Sequence, residues 1–217
     1  MIDPLKDFNW SSLYEQYDNR CRNFDPASDH LKAIAPSPKS DRELYYHLVR
    51  SIQPSTEGRE FSADLYEAML YWKLYSNYQA IGNLRRWLAP EVLPSQTANL
   101  MRLLDELPSQ IERNVGQVVN LVNKMDEYRL VGMKTPTALP VRTTFLHYFF
   151  PDVVPIFDKM VLRAVDVTVP NANHKIEVFQ EYLPFAWELA DRHAANLRGH
   201  YRESSIRLID MALWIVR

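Results

Sequence analysis

Apolar residues recur every three or four positions along most of the chain, the spacing of one face of a helix. Phe61, Leu65, Met69 and Trp72 follow this rule, as do Ile111, Val115, Val118, Val119 and Val122, and Ile206, Ile209, Leu213 and Val216. The spacing and the turn residues predict helices in succession. The first is capped by Asn9 and runs through Tyr17 to Arg22. Residues 23–40 hold three prolines and read as an irregular connection. A helix then runs from Asp41 to Ile52, followed by a polar loop over 53–60. Ser62 caps the next helix, which Gly82 interrupts before 83–88. Pro94 and Ser95 open a helix through Leu107, and Pro108 and Ser109 open another to about Tyr128. After a turn over 132–138, a short apolar helix begins at Leu139 and a second opens at Asp158. A long helix spans 171–173 to about Leu197, bent or broken at Pro184. The last runs from about Glu203 to Val216. Only Val165–Pro170 alternates with period two, and it is short. The expected fold is all-α: a single globular multi-helix domain over 1–217, with two lobes, about 1–92 and 93–217, divided at the composition break near 90–94.

Composition sharpens this picture. The chain has 217 residues, 47% of them hydrophobic and 12% aromatic, enough for a substantial core. It has only 5 glycines, a scarcity that helices tolerate better than turn-rich sandwiches or barrels do. Cys21 is the only cysteine, which excludes an intrachain disulfide and a four-cysteine metal site. The opening MIDPLKDFNW lacks a basic stretch followed by an apolar run, and no window of about 20 apolar residues exists. A cytoplasmic protein without membrane contact is expected. The net charge is −2 and the pI about 6.3, unlike the basic balance of most duplex-DNA binders. A local basic face remains compatible with that average. Lys32, Lys39, Arg42, Lys124, Arg129, Lys134 and Arg142 are its candidates.

The most informative stretch is LPVRTTFLHYFFPDVVPIFDKMVLRAV, from Leu139 to Val165. Asp158 stands at the start of a helix, where its carboxylate would accept from the amides of the first turn. Phe157 and Leu162 have the spacing of a hydrophobic staple. A helix cap is one reading of Asp158. The same amides also favour a charged carboxylate, which is what is needed to stabilise positive charge on a sugar as a glycosidic bond breaks.

This stretch resembles the second half of the helix-hairpin-helix DNA glycosylase superfamily, in particular bacterial proteins with an 8-oxoguanine DNA glycosylase-like fold. The resemblance rests on Tyr148 to Asp158 with Leu146 and His147 upstream, and more vaguely on Trp72–Ser76 and Ile209–Trp214. It implies a helix-hairpin-helix glycosylase-like domain with Asp158 as catalytic carboxylate. Arg142, Thr143, Lys159 and Arg163 would contact phosphate or substrate, and Trp72 would stack the base. DNA or a nucleotide would be bound weakly. No cofactor is implied. Two departures matter. The Leu-Pro-Gly-x-Gly hairpin is Leu139-Pro140-Val141-Arg142-Thr143 here, with both glycines gone. The position of the family's nucleophilic lysine holds Arg142 or Thr143, which disfavours Schiff-base chemistry. A monofunctional N-glycosylase and a non-catalytic helical interaction module that keeps the fold are both open readings.

Other chemistry has thinner support. His174 and Glu177 are a turn apart, but no third ligand has metal spacing. No P-loop, GxGxxG or Gly-x-Ser-x-Gly occurs. Arg207 and Asp210, at i and i+3, read as a surface ion pair.

Overall fold

The computed structural model describes all residues except 35–36, 53–61, 88–92, 134–137 and 198–200, and only the backbone of 85, 87 and 93. The described residues contain eleven α-helices and no strand. They are α1 (Leu13–Arg20), α2 (Asp41–Ile52), α3 (Ala63–Leu74), α4 (Tyr78–Trp87), α5 (Leu93–Glu106), α6 (Val115–Lys124), α7 (Leu139–Phe149), α8 (Lys159–Ala164), α9 (Ile176–Arg192), α10 (Ala194–Leu197) and α11 (Ser205–Val216). The all-α expectation holds. None of these helices is long and apolar enough to cross a membrane.

Two compact units divide the chain. One comprises Met1–Arg20, Ser109–Lys124 and Thr135–Arg217; the other comprises Cys21–Pro108 and Met125–Lys134. The composition break near 90–94 falls mostly outside the described residues.

The first unit is organised around α11. This helix packs against α1, α8 and α9, and it buries Ile206 through Leu213 together with Ile215. Ser204 caps it by accepting from the Arg207 amide at 3.1 Å. A helix buried on nearly all sides must satisfy its polar residues internally. Arg207, 1% exposed, donates to Asp210 and, at 2.7 Å, to the Tyr17 hydroxyl. The surface ion pair expected at these positions is therefore a buried one. Helical spacing predicts the contact between the two side chains, but not the α1 and α9 packing that covers it.

The second unit is organised around α3, which packs against α2, α4 and α5. Ser62 caps α3 as expected, accepting from the Leu65 amide at 3.2 Å. Of the expected stripe, Met69 and Trp72 are buried, Leu65 is half-buried, and Phe61 lies outside the described residues. His30 and Glu67 form a contact of 2.5 Å beside Tyr71. Gly132 takes φ 79°, a left-handed turn that suits glycine.

Several elements differ from expectation: Asn9 makes no side-chain cap bond and α1 spans Leu13–Arg20, and at two other boundaries an asparagine cap outweighs the apolar spacing. The break after α3 comes at 75–77 rather than at Gly82, because Asn77 Oδ1 accepts from the Ala80 amide and starts α4 anew. Gly82 lies inside α4. Likewise α6 begins at Val115 rather than at Pro108, because Asn114 Oδ1 accepts from the Gln117 amide at 2.9 Å. Ahead of α9, residues 172–174 form a short 3₁₀ turn after Asn171, which takes φ 55°. Pro184 lies within α9, which continues through it to Arg192. Val165–Pro170, the one alternating stretch, pairs with no strand among the described residues, and Asp166 within it has φ 61°.

Candidate functional site

The connection between α7 and α8, residues 150–158, is fastened by side chains of the first unit at five of its residues. Four successive carbonyls receive side-chain donors from four different places. Ser204 Oγ donates to the Pro151 carbonyl at 2.7 Å and Arg113 Nε to that of Asp152 at 3.4 Å. Trp187 Nε1 donates to Val153 at 2.6 Å, and His147 Nδ1 to Val154 at 2.6 Å. A carbonyl only accepts, so Nδ1 of the fully buried His147 carries a proton. Thr143 Oγ1 then accepts from the Phe157 amide at 3.2 Å. Phe157 is fully buried, with its ring 5.1 Å from Phe179 and 5.5 Å from Tyr182.

This fixed connection ends on Asp158. Its backbone is extended (φ −145°, ψ 175°), and Oδ1 accepts from the amides of Met160 at 2.8 Å and Val161 at 3.2 Å. Asp158 is the N-cap of α8 and remains partly exposed. The buried Tyr182 lies within its electrostatic reach. Burial, together with the Asp210 and Asp158 carboxylates, pushes the Tyr182 phenol well above its ordinary range, so it stays a neutral hydroxyl.

The other expected site residues have different surroundings. Lys159 and Arg163 are exposed on α8, one turn apart. Arg142 is only 8% exposed, and Thr143 is fully buried and engaged with Pro140 and Phe157. Trp72 is buried in α3 of the other unit, its ring 5.6 Å from Tyr45. Asp158, Lys159 and Arg163 are thus the members of the set that reach solvent together. Among the candidate surface cations, Lys32 pairs with Asp29 at 2.6 Å and Lys134 lies outside the described residues. No group of three His, Cys, Asp or Glu side chains among the described residues is arranged to hold a metal ion.

Immediately after Asp158 a cleft of about 450 Å³ opens in the first unit. Lys159, Arg163, Thr168, Asn171, Asn173 and His174 supply its polar lining, and Leu162 and Ala172 are its buried apolar positions. Asp158 is not in the lining. The sequence offered a signal for this cleft in the polar run Asn171-Ala172-Asn173-His174 after Pro170, although it reads there only as a helix start. No family model, curated protein or solved structure matches the chain.

Proposed function

We propose that the chain is a divergent DNA-glycosylase-like protein that hydrolyses the N-glycosidic bond of a modified base, with Asp158 as the catalytic carboxylate. As the base departs with the bonding electrons, positive charge builds on the sugar, and water then adds to the same carbon. A fixed carboxylate beside that carbon stabilises the charge or orients the water. The observation that carries this reading is the fastened connection: five side chains hold residues 151–157 and deliver a partly exposed Asp158 whose Oδ1 is fixed by two amides. Such preorganisation is what electrostatic catalysis needs. Lys159 and Arg163, exposed on the next turns, suit the substrate's phosphates.

A second reading, a non-catalytic helical interaction module, draws on the burial of Arg142, Thr143 and Trp72, which leaves them little surface for DNA or a flipped base. The test is a base-release assay on oligonucleotides carrying oxidised, alkylated and deaminated bases, run beside binding measurements at low salt. Release of a free base supports the hydrolase. Absence of release across the panel, with no duplex or single-strand binding, favours the module.

A further inference from the structure

The cleft beside α8 has a charge pattern that the fold itself does not explain. Lys159 and Arg163 stand at i and i+4 on α8, and both line the same 450 Å³ space. Like charges at that spacing repel each other. No aspartate or glutamate lines the cleft, and neither cation forms an ion pair among the described residues. The rest of the polar lining comes from the Thr168 hydroxyl, the Asn171 and Asn173 amides and the His174 ring, with Asn173 Nδ2 3.1 Å from His174 Nε2. All of these groups are able to donate to an oxygen anion. The net charge of the chain is −2, so this cationic concavity runs against the average.

The backbone adds an independent observation. Asp166 (φ 61°) and Asn171 (φ 55°) bracket the rim segment 167–170 in the left-handed region. Only one other non-glycine residue among the described ones, Arg129, does the same. Aspartate and asparagine adopt this region more readily than other side chains, and residues held there recur where a chain is shaped around a ligand. Here they turn the chain at both ends of the segment and bring Thr168 and Asn171 into the same lining as Lys159 and Arg163.

We infer that this cleft binds the terminal phosphate of a phosphomonoester. Two cations match the charge of about −1.5 to −2 that a monoester carries near neutral pH, and arginine presents a fork that fits phosphate oxygens in pairs. The volume falls in the range of small-ligand sites. The shared chemistry has two sources: a free nucleoside monophosphate, or the 5′-phosphorylated end of a nucleic-acid strand. The site shares Lys159 and Arg163 with the proposed hydrolase, but it needs no catalysis by Asp158.

The experiment is calorimetric titration of the full chain at low salt with three probes: 5′-dAMP, a short 5′-phosphorylated single strand, and the same strand without the phosphate. A Lys159→Gln/Arg163→Gln double variant is titrated in parallel, and its melting temperature should match the parent because both side chains are exposed. The two phosphomonoester probes should bind the parent, and the phosphorylated strand should bind it at least about tenfold more tightly than the unphosphorylated one. The tighter of the two monoesters identifies the source. The double variant should bind at least about tenfold more weakly, since a charge-assisted hydrogen bond is worth about that factor or more. Asp158→Asn should bind dAMP as the parent does, even if it releases no base, which separates this site from the hydrolase reading. Equal binding of phosphorylated and unphosphorylated strands would overturn the inference, as would undiminished binding by the double variant or no binding of any monoester.

Discussion

Two ion pairs of the first unit differ in what their loss should cost. Arg207 and Asp210 are 1% and 5% exposed, so truncating the aspartate leaves a guanidinium buried with one fewer acceptor. Asp210→Ala should destabilise the protein by about 3–5 kcal/mol. Arg113 and Asp191, 2.7 Å apart, have side chains 34% and 71% exposed, and Asp191→Asn should change stability by no more than about 1 kcal/mol. Urea denaturation of the two variants tests the contrast. Asp3 adds a pH term. Burial acts to raise its pKa, but the Leu5 amide, Arg192 and His193 outweigh that and hold the carboxyl below its ordinary value. The unfolded chain therefore takes up the proton first as pH falls. The stability contributed by Asp3 is present above the ordinary carboxylate range and is lost as pH drops through the lower folded value. Asp3→Asn should flatten that acid limb of the stability curve, as read from melting temperatures at a series of pH values.

The α7–α8 connection and α4 carry the element-scale predictions. His147 is the donor to the buried Val154 carbonyl, and His147→Leu leaves that carbonyl without it. The cost should be about 1–3 kcal/mol in denaturant unfolding. Gly82 lies inside α4, and among the described residues nothing beyond its own helix backbone and chain neighbours comes within 4 Å of where a Cβ would sit. Gly82→Ala should therefore stabilise the protein by about 1 kcal/mol, and a lower melting temperature would contradict its placement in a helix interior. The sequence made this scale legible in part. Ser62 and Asp158 stand before apolar helical stretches, and both cap helices as expected. Asn77 and Asn114 do the same work, yet the apolar rhythm runs on across them, so their breaks were not anticipated. The fastening of residues 151–157 was not legible either. Its donors Arg113, Trp187 and Ser204 lie between 34 and 53 residues away in sequence, and only the fold brings them to those carbonyls.

For the whole chain, the all-α architecture was readable because the three-to-four spacing runs almost throughout, whereas the interleaving of the two units left no mark in the local pattern. The net charge was legible as a sum of −2 and the i, i+4 spacing of Lys159 and Arg163 as a shared helix face, whereas the polar groups of 168–174 that complete the cleft lie there only through the fold. If the protein meets DNA through Lys159 and Arg163, binding should be weak and the logarithm of its affinity should fall with the logarithm of salt at a shallow slope of about −2, because two cations release few counterions. A titration of affinity against salt measures this.

The role of Asp158 separates the two functional readings, and asparagine separates its cap from its charge. Asparagine caps helices about as well as aspartate, so Asp158→Asn should melt close to the parent. On any substrate from which the parent releases a base, the rate of release by Asp158→Asn should fall by roughly a hundredfold or more, the usual cost of one well-placed electrostatic group. Release at the parental rate would leave Asp158 as the cap of α8 and nothing more.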